Sequence, residues 1–246
     1  MAISTLRPAI DMNADLGEGF GSDEALLQLV SSANIACGFH AGDPHAMQAT
    51  VRSCIAAGVA IGAHPGLPDR IGFGRREMAI TPAEAYDYVL YQVGALDAMV
   101  RAAEGRMRHV KPHGALYHMA GRDAAIADAI VRAVGAVDDR LAIVAQAGSL
   151  LLETAEAAGL RTVSEAFADR RYRENGLLVP RGEPMAVITD EAEAAAQALK
   201  LASRTSGIRA ETICVHGDGA EAVALAAAIR EALLAGGVQI AAPFNN

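Results

Sequence analysis

Four histidines in this chain close short apolar runs: Ile35-Ala-Cys-Gly-Phe-His40, Val59-Ala-Ile-Gly-Ala-His64, His109-Val-Lys-Pro-His113 and Thr212-Ile-Cys-Val-His216. Imidazole transfers protons near neutral pH and ligates metals, and glycine or proline follows each of these runs at once or nearly so. A buried strand that ends on a polar residue and turns toward a helix has this form. In parallel α/β folds such residues line the crevice at the carboxyl ends of the strands. The opening segment Ile10-Asp-Met-Asn-Ala-Asp-Leu-Gly-Glu18 adds carboxylates of the same kind.

Asp11, Asn13 and Asp15 alternate with Ile10, Met12 and Ala14, so an extended strand puts the three polar side chains on one face. Carboxylates placed there serve as a general base or as metal ligands, and two on one face repel unless something positive lies between them. His40 and Asp43 form H-x-x-D at a strand-to-helix turn. With His64 and Asp15 they suggest a divalent metal whose open position activates water. Each histidine alone could equally be a core residue satisfied by backbone, and Asp43 could simply cap a helix. Lys111 and His113 share a face, a pairing suited to stabilising an oxyanion or phosphoryl oxygen. His216 and Asp218 repeat that spacing, with Asp218 also a candidate N-cap. His45, His109 and His118 lack the strand-end placement and read as structural. Glycines in Gly17-Glu-Gly-Phe-Gly21 would let amides approach an anion or would only make a turn, and no GxxxxGK[ST] segment appears.

These groups lie far apart along the chain, so strands must gather them. Apolar segments near 8–13, 33–38, 59–63, 107–112, 141–146, 161–165 and 211–215 alternate with helical patterns over 44–58, 81–105, 122–134, 149–158, 190–203 and 219–235, and another helix opens near Ser22. The helix signals are specific: Asp43 before Pro44, and a capping box in Thr81-Pro-Ala-Glu84. The steps from Asp15 to His40 and from His40 to His64 are nearly equal, as for repeated strand-turn-helix units. A single α/β domain over residues 1–246 follows, a (β/α) barrel with about seven parallel strands. A ring is favoured over an open sheet because polar strand ends come from the first strands and the last. Two long loops, 65–80 and 166–189, carry arginine clusters and read as lids or partner surfaces, or as solvated loops.

Composition excludes several classes. A net charge of −8 argues against a nucleic-acid surface. Three cysteines without CxxC spacing argue against a disulfide framework or zinc knuckle, and no apolar run is long enough to span a bilayer. A soluble, unprocessed cytoplasmic protein without nucleic-acid or membrane partners is expected.

The segments DMNADLGEGFG, SANIACGFHAGDP, GVAIGAHPG, GFGRR, HVKPHGALY, FADRRY and CVHGD resemble the LamB/YcsF family across nearly the whole chain. The resemblance implies a seven-stranded (β/α) barrel of the glycoside hydrolase/deacetylase type. It implies the A subunit of an ATP-hydrolysing 5-oxoprolinase, which opens 5-oxoproline, or its phosphorylated form, to L-glutamate with subunits B and C. ATP with Mg²⁺ would be used by the complex, with partners carrying the phosphorylation. By motif the implied site comprises Asp11, Asp15, His40, His64, Lys111 and His113 as catalytic groups. Asn13, Glu18, Asp43, His216 and Asp218 would contact substrate, and His40, His64 and Asp15 are the candidate metal ligands. Asp15 or Asp11 is the expected base, His40 and His64 partner the water or metal, and Lys111 with His113 surround the oxygen. Two alternatives remain at this level: an ATP-independent metal-dependent deacetylase or amidohydrolase, and a non-catalytic substrate-binding subunit. The chain departs from the family pattern in lacking an aromatic and Gly-Asp-Asp insertion before Ser22, and in having Gly219-Ala220 where Thr-Pro often stands.

Overall fold

Each apolar run that ends in a polar residue becomes a parallel strand. A computed structural model describes residues 8–173, 176–180, 182–215 and 221–244. The strands are β1 (Ala9–Leu16), β2 (Ser32–Ala36), β3 (Ala60–His64), β4 (Met107–Val110), β5 (Ala142–Gln146), β6 (Thr162–Phe167) and β7 (Thr212–Val215). They pair in sequence order, and β1 closes the ring by pairing with both β2 (Asp15↔Asn34) and β7 (Asp11↔Thr212). A two-residue strand, β8 (Gln239–Ile240), runs outside the ring against the start of β1. The expected single closed α/β barrel of parallel strands is the fold observed.

The helices form the outer layer: α1 (Asp23–Leu27), α2 (Pro44–Ala57), α3 (Pro82–Ala102), α4 (Gly114–Ala120), α5 (Ala124–Val137), α6 (Leu150–Ala157), α7 (Glu191–Ala202) and α8 (Ala222–Ala235). Their starts follow the sequence signals. The Asp43 side chain accepts the Ala46 amide ahead of Pro44, and Gly58 ends α2 with φ 68°, a left-handed conformation that suits glycine. Thr81 and Glu84 cap α3 reciprocally. The short α4, which follows His113 directly, has no counterpart in the sequence expectations. No helix among the described residues is long and apolar enough to cross a membrane.

The main apolar core lies between the ring and the helices, where Met12, Ala14 and Leu16 are fully buried alongside Leu26, Ile35 and Val51. The alternate residues of β1, Asp11, Asn13 and Asp15, point into the barrel, and so do Asn34, Lys111, Glu165 and Thr212. The barrel interior is therefore polar. Buried polar groups are tolerated only with hydrogen-bond partners, and these have them. Three cysteines, Cys37, Cys54 and Cys214, are buried and free.

Candidate active site

The interior polar groups form one connected path. Asp11 accepts from the hydroxyls of Ser31 (2.6 Å), Ser32 (2.7 Å) and Thr212 (2.6 Å). Burial raises its pKa, and the three hydroxyls oppose that shift. Above it, the Asn13 amide donates to Thr212 and to Glu165, while its oxygen accepts from Asn34 and from Lys111 Nζ. Asn34 also donates to Asp15 Oδ1 at 2.8 Å, and its own oxygen faces His109 Nε2 at 2.8 Å.

Lys111 is the cation of this path. Its Nζ lies 2.9 Å from Glu165 Oε1, 3.1 Å from Asp15 Oδ1, 3.2 Å from Asn13 Oδ1 and 3.1 Å from Cys214 Sγ. Burial alone would lower the ammonium's pKa, but the neighbouring carboxylates of Asp15 and Glu165 outweigh it and hold the pKa well above its usual value. Tyr117 completes the network by donating to Glu165 Oε2 at 2.9 Å.

At the carboxyl ends of the strands lies a second group. Glu18, His40, His64 and His113 each offer one ligand atom, all within 4.8 Å of one another. Glu18 Oε1 is 3.3 Å from His40 Nε2, 3.5 Å from His113 Nδ1 and 3.9 Å from His64 Nε2. The rings of His40 and His113 stack in parallel with centroids 3.7 Å apart, and His64 stands perpendicular to both.

The hydrogen bonds fix the tautomers of two of these rings. His64 Nδ1 faces the carbonyl oxygen of Lys111 at 2.7 Å, and His113 Nε2 faces that of Phe73 at 2.8 Å. A carbonyl has no proton to give, so each of these nitrogens must carry one. In the neutral rings the remaining nitrogens, His64 Nε2 and His113 Nδ1, then hold lone pairs, and they point at each other across 2.9 Å. Two lone pairs at that separation require a cation between them, either a proton or a metal. Burial and the neighbouring His64 push the His113 pKa down to about 3. Three imidazoles and a carboxylate, with ring N–H groups anchored on backbone carbonyls, match the donor set and outer partners of a divalent metal site.

A cavity of about 690 Å³ opens beside this cluster. Asp15, Glu18, His64, Lys111 and His113 line one end, and Arg170, Leu178 and Val179 of the 168–190 loop line another part. The loop over 65–80 packs across the cluster through Phe73. Arg70 pins it by donating to the carbonyls of Gly38 and Gly42, and Arg76 pairs with Asp69. These two arginines thus brace the loop itself.

The structure sorts the expected residues unequally. Asp15, Glu18, His64, Lys111 and His113 converge on the cavity, with His40 behind them. Asp11, expected as a catalytic group and as the alternative to Asp15 for the base, does not: it lies four residues down β1, about 13 Å below Asp15 at the usual strand rise, surrounded by hydroxyls. Asp43 is exposed and caps α2, so it is not a pocket residue. Lys111, expected from the sequence at the reacting oxygen, lines the cavity, and its three N–H groups face four acceptors, Asp15 among them. The metal-fitting set includes Glu18 and His113, whereas Asp15 turns to Lys111 and Asn34. Asn13 lies in the path beneath the pocket. His216 and Asp218 lie outside the described residues. His109, read as structural, is buried against Asn34 and stacked on Phe244. Sequence reasoning does not reach Glu165, Asn34 and Tyr117. A lone Glu in the run Thr162-Val-Ser-Glu-Ala-Phe167 and a lone Asn in Ser32-Ala-Asn-Ile-Ala36 are the available signals.

The model of the LamB/YcsF family matches residues 10–246. The chain belongs to the LamB/YcsF family. It is 54% identical over 247 residues to the A subunit of 5-oxoprolinase from Methylococcus capsulatus (strain ATCC 33009 / NCIMB 11132 / Bath), covering 95% of each chain. It is 50% identical to the A subunit of 5-oxoprolinase from Brevibacillus brevis (strain 47 / JCM 6285 / NBRC 100599), covering 96% of this chain and 98% of that one. Among solved structures, the lactam utilization protein from Thermus thermophilus superposes with a TM-score of 0.89 at 47% identity, over 95% of this chain and 99% of that one. A T48 deacetylase shares the fold alone, with a TM-score of 0.53 at 13% identity over 95% of this chain and 87% of that one. As a LamB/YcsF protein, the chain carries its polar strand ends on the same kind of barrel as that deacetylase.

Proposed function

We propose that this LamB/YcsF protein is the A subunit of an ATP-dependent 5-oxoprolinase and that the whole barrel is its catalytic domain, opening the lactam of 5-oxoproline to L-glutamate. The observation that carries the reading is its 54% and 50% identity, over nearly the full length of both chains, to proteins named as 5-oxoprolinase A subunits. The site suits the chemistry. Lactam opening needs a nucleophilic water, a base to take its proton and a proton donor for the departing nitrogen.

In this reading Asp15 is the base. Lys111 and Asn34 hold its Oδ1, its Oδ2 lies 3.4 Å from His64 Nε2, and the residue lines the cavity. Glu18, His40, His64 and His113 would hold a divalent metal, which supplies Lewis-acid polarisation and a lowered water pKa when bound. Lys111 keeps the charge of Asp15 balanced, and Arg170, which also lines the cavity, would meet the substrate carboxylate. The sequence contains no GxxxxGK[ST] segment, and in this reading phosphorylation with ATP and Mg²⁺ falls to partner subunits B and C. A free lactam amide is a weak electrophile, and phosphorylating its oxygen makes it a better one.

The test is glutamate release from 5-oxoproline with ATP and Mg²⁺. The chain alone should be inactive, and addition of the two companion subunits should give turnover that Asp15→Asn abolishes. A reconstituted complex that stays inactive, or an Asp15→Asn complex with full turnover, overturns the reading. The four-residue cluster also favours a second reading, an ATP-independent metal-dependent amidohydrolase. Lactam or acetamide hydrolysis by the metal-loaded chain without ATP would establish it.

A further inference from the structure

Phe73 has φ 54°, a left-handed conformation rare in residues with a Cβ. Such a backbone persists where its surroundings over-determine it. Here they do. Asp69 accepts the Gly72 amide with its side chain (3.0 Å) and the Gly74 amide with its carbonyl (2.8 Å). The Gly74 carbonyl accepts the amide of Ala115, on the helix that follows His113, at 2.9 Å. Gly74 itself cannot carry a side chain, because an added Cβ would come within 2.7 Å of His40 Cβ.

Held this way, Phe73 meets the histidine cluster twice. Its ring stands edge-on to His113 and His40, with centroids 5.1 and 5.6 Å away. Its carbonyl accepts His113 Nε2–H at 2.8 Å. That second contact decides which nitrogen of His113 offers an electron pair. If residue 73 left the left-handed well, its peptide would rotate, the acceptor would leave, and the proton could move to Nδ1.

We propose that Phe73 is a positioning residue whose left-handed backbone aims one carbonyl at His113 Nε2, fixing the tautomer that presents Nδ1 to Glu18 and His64. The role belongs to the backbone conformation, not to the aromatic ring. It rests on the reading of these residues as a cation site, and a spectroscopic measurement without metal separates the two.

Asn and Val have similar size and both remove the ring, but Asn is at ease at positive φ whereas β-branched Val is not. The full chain is therefore prepared as wild type, Phe73→Asn and Phe73→Val. The ring-nitrogen protonation of His113 is read by long-range ¹H–¹⁵N correlation in metal-free protein, and Co²⁺ affinity by competition titration. Wild type and Phe73→Asn should keep His113 Nε2 fully protonated, whether or not a proton is shared between Nδ1 and His64 Nε2, and should show similar Co²⁺ affinity. Phe73→Val should show His113 Nε2 partly deprotonated and bind Co²⁺ about 10–100-fold more weakly. If Phe73→Val keeps Nε2 fully protonated, or Phe73→Asn loses that protonation equally, the inference is overturned. Expected tautomers without Co²⁺ binding by any form would support the positioning role and reject the cation site. Should Phe73→Val fail to fold, Phe73→Gly against Phe73→Ala repeats the contrast, since glycine alone of that pair is relaxed at positive φ.

Discussion

The barrel interior and the barrel mouth are built from the same kinds of side chain, yet they are wired in opposite ways. In the interior, every polar atom of Asn13, Asn34 and Glu165 meets a donor or acceptor, and Lys111 lies between two carboxylates. At the mouth, His64 and His113 aim lone pairs at one another, and His40 Nδ1 is buried with no hydrogen-bond partner. The first arrangement stabilises a shape; the second leaves a cluster that could hold a metal ion. Function is therefore expected to follow the incomplete region and stability the complete one.

The largest effect should come from breaking the interior at its cation. Lys111→Met leaves Asp15 and Glu165 facing each other without compensation in a buried site. Removing one partner of a buried ion pair typically costs about 3–5 kcal/mol, a large share of the roughly 5–15 kcal/mol that holds a domain folded. Urea unfolding should report that loss, and a second change, Glu165→Gln, should recover part of it. A Lys111→Met protein as stable as wild type would show that the interior network is not what maintains the ring.

Part of this division is legible in the sequence, and the residues show where legibility stops. The strand positions are readable because parallel strands, buried on both faces, are short apolar runs bounded by turns. Helix α4 is not, since Gly114-Ala-Leu-Tyr-His-Met-Ala120 is brief and begins with a glycine. The alternation Asp11, Asn13, Asp15 correctly gives a shared face but not depth: two acids on one strand can lie a full layer apart. The His40, His64 and His113 grouping is readable from strand ends, whereas Glu18 as their fourth member is not, because it follows the strand in a glycine-rich turn. Phe73 is invisible as a positioning residue. Its contribution is a backbone angle and a carbonyl, and neither is written in the residue type.

A middle-sized effect tests that depth distinction. Asp11→Asn replaces a carboxylate that accepts three hydroxyls, and hydrogen bonds to a charged group contribute about 1.5–3 kcal/mol each, offset here by relief of the buried charge. A net loss of about 1–2 kcal/mol is expected. The pH dependence gives the sign. Burial raises the Asp11 pKa above its ordinary value of 3.8, so the folded state holds the proton more tightly than the unfolded state. Its contribution is fully present below that value and declines as pH rises through the raised folded pKa. Asp11→Asn should remove this decline from the stability curve measured upward from the ordinary carboxylate range, while turnover of the complex follows only the folded fraction. A loss of turnover beyond that would return Asp11 to the catalytic groups.

The smallest effect on stability should come from the mouth. His40→Asn deletes a buried ring, but it also removes a group that burial and the neighbouring His113 and His64 already drive well below its usual pKa. Without metal, the change relieves crowding among like groups as it removes packing against His113, so urea unfolding should move by no more than about 1 kcal/mol. With Co²⁺ the outcome inverts. Wild type should gain stability in proportion to the logarithm of metal concentration over its dissociation constant, because only the folded state assembles the four ligands. His40→Asn, with one ligand fewer, should gain much less at the same concentration. Equal stabilisation of both proteins would mean that the ion sits elsewhere, and that the converging lone pairs share a proton after all.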